Sequence, residues 1–225
     1  MTAHLTEEEQ LEALKRWWAE NGKSTVFGVI LAVGGYLGWE GWQDHQRTQA
    51  ETASASYQNL VEALAIDPAS ELTEEQTATV NHLAEALKSD HANSLYASQA
   101  ALFLARLAVE RDDLEGAAAE LQWVLDQKPD AALDKLTRSR LARVKMDLKQ
   151  YDQALALVAD KDSGVFKAIF AEIRGDALLA KGDSGQARAA YQLALDNLTE
   201  ESQGRSQLLQ MKINDLKTAA EGENS

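Results

Sequence analysis

The chain has 225 residues, a formal net charge of −14, no cysteine and only two prolines, Pro68 and Pro129. The lack of cysteine excludes a disulfide framework, a thiolate metal site and a cysteine nucleophile, and the acidity argues against nucleic acid, whose phosphates require clustered lysine and arginine. Abundant alanine and leucine with so little proline favour helices over strands.

The N-terminal segment, residues 1–22, contains "TEEEQLEALKRWWAEN", with Leu11, Leu14 and Trp18 at i, i+3, i+7. This is the spacing of a short amphipathic helix, and Thr6 with Glu9 three residues on forms a candidate capping box at its start.

From Ser24 to Trp39 there are sixteen residues without a charge, between Lys23 and Glu40. A helix of that length covers about 24 Å, against a bilayer core of about 30 Å. Lys23 can snorkel outward, and Trp39 and Trp42 suit the opposite interface. A buried core helix would show one polar face, and this run is apolar all round. A cleaved export signal would start shorter and more basic, whereas five acidic residues lie within the first 23. Residues 23–42 are therefore expected to form a membrane anchor. Lys15, Arg16 and Lys23 precede it and only Arg47 follows closely, which puts the N-terminus in the cytoplasm and the remainder across the membrane. Gly34 and Gly38 make a GxxxG spacing that permits close contact with another membrane helix, although glycine is also common in membrane spans generally.

Residues 43–93 read as a stalk and a first helical hairpin. Ala50, Ala53, Tyr57, Leu60 and Leu64 form a 3-4-3-4 seam, Pro68 with its polar surroundings ends it, and a second helix follows around Ala78 to Leu87. Residues 94–203 repeat one layout. Ala105, Ala142 and Gly175 stand 37 and 33 residues apart, each followed by an apolar helix, with "ERDDLEG", "KQYD" and "KGDSGQ" at the reversals. Small residues are needed where the two backbones of a hairpin cross, and no hairpin buries its apolar face without a neighbour. The spacing resembles the tetratricopeptide repeat, whose period is about 34 residues. The third copy matches best, the second only at its core positions, and none carries the consensus tryptophan. Residues 204–225 supply a capping helix, with Leu209, Ile213 and Leu216 on one face, and a tail. The expected fold is all-α: a single N-terminal transmembrane helix followed by an α-solenoid of tetratricopeptide-like hairpins.

No catalytic constellation is present. His4, His45, His82 and His91 are scattered, Ser184 sits in a turn rather than a nucleophile elbow, and "GGYLG" has no strand before it. No metal site or cofactor is expected, nor an enzyme. Binding remains. The tetratricopeptide resemblance implies a concave groove lined by the first helix of each hairpin. Its positions fall on Gln99, Leu102, Arg106, Val109 and Glu110, then Leu136, Ser139, Arg143, Met146 and Asp147, then Ile169, Glu172, Asp176 and Leu179. This mixture of apolar residues and both charge signs suits a protein surface; solvated or capping positions are the plainer reading of the same residues.

Taken together, "KRWWAENGK", "GVILAVGGYLGW", "RSRLARVKMDLKQYDQALALV", "RGDALLAKGDSGQARAAYQLAL" and "QMKINDLK" resemble the YfgM-type ancillary subunits of the bacterial SecYEG translocon. The resemblance covers most of the chain and is weakest from Asp67 to Asn93. It implies an inner-membrane span, a periplasmic repeat domain, and association with the SecYEG translocon, with a PpiD-type periplasmic chaperone and with client polypeptides emerging from the channel. The alternative from the residues alone is a scaffold or regulator that self-associates through Gly34 and Gly38.

Overall fold

The computed structural model describes residues 7–64, 73–159 and 163–222, leaving aside the side chains of residues 7, 201 and 217–222. Pro68, His4 and the Thr6 cap lie outside the described residues. Nine α-helices follow one another, with no strand among the described residues: α1 (Glu7–Leu64), α2 (Glu74–Asp90), α3 (Leu95–Glu110), α4 (Leu114–Asp126), α5 (Ala131–Asp147), α6 (Tyr151–Leu157), α7 (Lys167–Ala180), α8 (Ser184–Asp196) and α9 (Ser206–Gly222). Short 3-10 turns at Gly164–Phe166 and Glu200–Arg205 lead into α7 and α9.

The chain divides into two compact units, residues 1–52 and 53–225. In the first unit, α1 joins the expected N-terminal helix, the glycine-rich run and the start of the stalk in one uninterrupted helix. The expected transmembrane helix is corrected here: no helix among the described residues is long and apolar enough to cross a membrane. The physical reason lies in the run itself. Its uncharged stretch ends after sixteen residues, and Ser24, Thr25, Gly28, Gly34, Gly35 and Gly38 contribute little hydrophobicity to it. The side chains of Phe27, Ile30, Leu37 and Trp39 are exposed.

The second unit is a stack. The end of α1 packs with α2 and α3 around Leu60, Val80, Leu87 and Leu104. Leu121, Val124 and Leu141 join α3, α4 and α5. Ala142, Val158, Phe170 and Ile173 join α5, α6 and α7. Tyr191, Leu209 and Ile213 join α7, α8 and α9. Thus α3, α5 and α7 each contribute to two successive core layers, which is how a solenoid buries faces that no single hairpin could bury.

Local chemistry sets the helix ends. Thr73 and Gln76 form a reciprocal capping box at α2. Ser94, Asp113, Asp130 and Asp183 each accept a backbone N–H at the start of α3, α4, α5 and α8. The three hairpin reversals share one geometry. Asp112, Lys149 and Gly182 adopt left-handed backbone angles, with φ of 62°, 59° and 86°. The amide of each following residue donates to Ala108, Lys145 or Leu178, and their own amides donate to Val109, Met146 and Leu179. This is the Schellman closure of a helix C-terminus, repeated at the same 37- and 33-residue spacing as the small crossing residues.

Candidate groove and the ionic cluster at the cap

An open groove of about 610 Å³ lies in the second unit between α3 and α5. Its walls include Gln99, Leu102, Phe103, Arg106 and Val109 from α3, and Arg140, Arg143, Val144 and Asp147 from α5; Ala105 of α3, Leu121 of α4 and Tyr57 of α1 also line it. The α3 residues recur at i, i+3, i+4, i+7 and i+10, so one helix face forms a wall. Leu102 and Val144 are buried and floor the groove, whereas Val109, Arg140 and Arg143 are exposed.

Arg106 extends across the Phe103 ring, 4.9 Å from its centroid, and pairs with Glu110 at 3.2 Å. Stacking on an aromatic face holds the guanidinium fork in place while leaving its edge open. Arg140 and Arg143 form no ion pair with the described residues. The groove therefore displays three guanidinium groups and one carboxylate on a strongly acidic chain.

The structure gathers Gln99, Leu102, Arg106, Val109, Arg143 and Asp147 of the sequence-derived groove positions. Met146 instead turns into the core shared by α5, α6 and α7, Leu136 into the core beneath α3 and α4, and buried Ser139 donates to the carbonyl of Leu136 at 2.7 Å. Phe103, Arg140 and the seam residue Tyr57 also line the groove, a place the sequence did not assign to them.

Glu172 and Asp176 belong to a different place. Glu172 is only 4% exposed. Its Oε2 accepts from Arg205 Nη2 at 2.6 Å and its Oε1 from Lys212 Nζ at 3.2 Å. Lys212 also donates to Asp176 at 2.7 Å, and the Tyr191 hydroxyl donates to the same carboxylate at 2.8 Å. Two basic residues from the turn before α9 and from α9 thus compensate buried Glu172, as a buried carboxylate requires, together with half-exposed Asp176 of α7. Burial, then the hydrogen bond to Asp176 and the charges of Asp176 and Glu172, raise the Tyr191 hydroxyl well above the ordinary phenol range. These residues clamp the cap rather than line an open surface.

Gly34 and Gly38, expected to contact another membrane helix, sit on α1 where an added Cβ would meet nothing within 4 Å. No cluster of three His, Cys, Asp or Glu residues suited to a metal occurs among the described residues.

A family model described as a tetratricopeptide repeat-like domain matches residues 15–218. The chain is also 39% identical over 217 residues to a protein of Escherichia coli (strain K12) named ancillary SecYEG translocon subunit, covering 96% of this chain and 99% of that one. The chain belongs to the tetratricopeptide repeat-like family of ancillary SecYEG translocon subunits. Family members of the same name from Haemophilus influenzae (strain ATCC 51907 / DSM 11121 / KW20 / Rd) and Neisseria gonorrhoeae (strain ATCC 700825 / FA 1090) are similar at 34% over 217 and 33% over 218 residues; each match covers 96% of this chain and all of the relative. No solved structure matches it. The family model spans every hairpin from α3 to α8, together with α2 and the buried face of α9.

Proposed function

We propose that the second unit is a non-enzymatic protein-interaction module that serves the SecYEG translocon, with the groove between α3 and α5 as its receiving surface. Membership of a family whose members are named for that translocon supports the association. The observation that carries the groove assignment is the convergence, on the first helices of two adjacent hairpins, of an apolar floor with Arg106 of α3, which is paired with Glu110, and with Arg140 and Arg143 of α5, unpaired among the described residues. Resemblance to the YfgM-type subunits extends the proposal to the periplasmic side of the inner membrane, to a PpiD-type chaperone as companion, and to emerging client chains.

Photocrosslinking in a bacterial host tests this reading. Probes at Gln99 and Val109 are expected to capture a translocon subunit or a chaperone-sized companion, while a probe at exposed Gln192 on α8 captures neither. Equal yields from Gln99, Val109 and Gln192 would remove the groove from the proposal. A periplasm-active reporter fused after Ser225 tests the side of the membrane: an inactive reporter in an intact fusion overturns the periplasmic placement.

A further inference from the structure

We infer that the groove takes an acidic segment of a partner protein, an extended stretch in which Asp or Glu alternates with apolar residues. This rests on the reading of the groove as a receiving surface and adds the chemistry of what it receives. The chain's formal charge is −14, yet the groove is lined by Arg106, Arg140 and Arg143 with Asp147 as the one lining carboxylate; Glu110 pairs with Arg106, and Arg140 and Arg143 carry the excess positive charge. Local sign opposite to the global sign is the arrangement that selects an acidic ligand and rejects a basic one.

The positions of the charges define the ligand further. Arg140 and Arg143 share a face of α5, and Arg106 stands on α3 across the groove. One terminal carboxylate would call for arginines converging on a point. Charges on both walls suit side-chain carboxylates distributed along a segment, each able to accept a guanidinium fork. Between them Leu102, Val109 and Val144 offer apolar contact, which an alternating extended chain meets on one side. From Gln99 to Val109 the wall runs about 15 Å along α3, the span of about four to five extended residues.

Fluorescence anisotropy on the full chain with three labelled pentapeptides, capped at both ends, tests the inference. One alternates glutamate with leucine and valine; the others replace glutamate by glutamine or lysine. The glutamate peptide is expected to bind about tenfold more tightly than the glutamine peptide, as two or three partly exposed ion pairs allow. That advantage disappears in Arg140→Gln/Arg143→Gln, whose circular dichroism stays unchanged because both side chains are on the surface. It also shrinks between about 0.05 and about 0.5 M salt. Equal or tighter binding of the glutamine or lysine peptide overturns the inference, as does glutamate-peptide binding that the double substitution leaves intact. Displacement of the glutamate peptide by an equimolar oligonucleotide overturns it in favour of a general polyanion site. Any of these results alongside translocon capture from Gln99 and Val109 leaves the receiving surface in place and removes only its acidic preference.

Discussion

Tyr191 occupies space that a side chain at position 175 would otherwise claim: a Cβ built on Gly175 would lie 2.4 Å from Tyr191 Cε1. In the preceding hairpins the crossing residue is alanine and the residue sixteen positions on is smaller than tyrosine: Ala105 and Leu121 share one core layer, Ala142 and Val158 the next. The third hairpin exchanges a methyl group for an aromatic ring whose hydroxyl reaches Asp176. Gly175→Ala is therefore expected to destabilise the protein by about 1–3 kcal/mol, the cost of overpacking a filled core, measured by chemical denaturation. A change within experimental error would show that the ring can step aside. The same tyrosine makes stability sensitive to alkali. Its folded-state pKa is raised above its ordinary value of 10.0, so the unfolded chain releases the proton first. The contribution is complete below pH 10 and is lost as pH rises beyond it, by up to about 1.4 kcal/mol per pH unit. Lys88 acts in the same direction. Burial opposes its charge, but hydrogen bonds and attraction to Glu120 and Glu85 outweigh that and raise its pKa. Denaturation midpoints between pH 8 and 11 should fall more gently above pH 10 in Tyr191→Phe than in the parent; parallel curves would count against this assignment.

At the scale of the element, the hairpin reversals carry the repeat. Gly182 takes its left-handed angle without steric cost, whereas Lys149 and Asp112 hold the same angle with a Cβ. Lys149→Gly should stabilise the protein by about 0.5–1 kcal/mol, since relief of strain exceeds the added freedom of the unfolded chain; a lower thermal midpoint would contradict this. The same reversals show what was legible beforehand. Small residues at 105, 142 and 175 mark the phase of the repeat because no large side chain fits a helix crossing, and Gly182 marks a turn. Lys149 and Asp112 resemble ordinary surface residues, because left-handed strain leaves no mark on composition. On the groove wall, Gln99, Leu102, Arg106 and Arg143 follow from which helix of each hairpin comes first. Tyr57 could not be placed that way, since it reaches the groove only through the packing of α1 against α2 and α3. Glu172 and Asp176 hold equivalent positions in the third copy, but Arg205 and Lys212 claim them from 33 to 40 residues away, a long-range pairing that helical period does not encode. The membrane anchor is misleading in the sequence for another reason: glycine keeps the run uncharged without making it apolar, and no helix among the described residues is long and apolar enough to cross a membrane.

At the scale of the whole molecule, the second unit behaves as a chain of neighbouring layers, so damage at one end should stay near that end. Helix α9 closes the stack by burying Leu209, Ile213 and Leu216 against α7 and α8, and with the preceding turn it compensates Glu172 through Arg205 and Lys212. Ending the chain after Gln203 removes three buried aliphatic side chains, about 1.5–3 kcal/mol each, and strands a buried carboxylate without its cations. In a single cooperative core a loss of this size would lower protection everywhere. In a stack whose layers touch only their neighbours, it should fall on α7 and α8, with α3 and α4 spared because α5 and α6 stand between. Hydrogen exchange on the truncated chain distinguishes the two. Backbone amides of α7 and α8 should exchange at least about a hundredfold faster than in the full chain, while those from Ala100 to Val124 keep their rates. Uniform acceleration from α2 to α8 would mean that the layers unfold together and that the groove depends on the cap. Preserved rates at α3 and α4 would mean that the receiving surface is maintained by its own two hairpins, and the truncated chain should then bind the glutamate peptide with unchanged affinity.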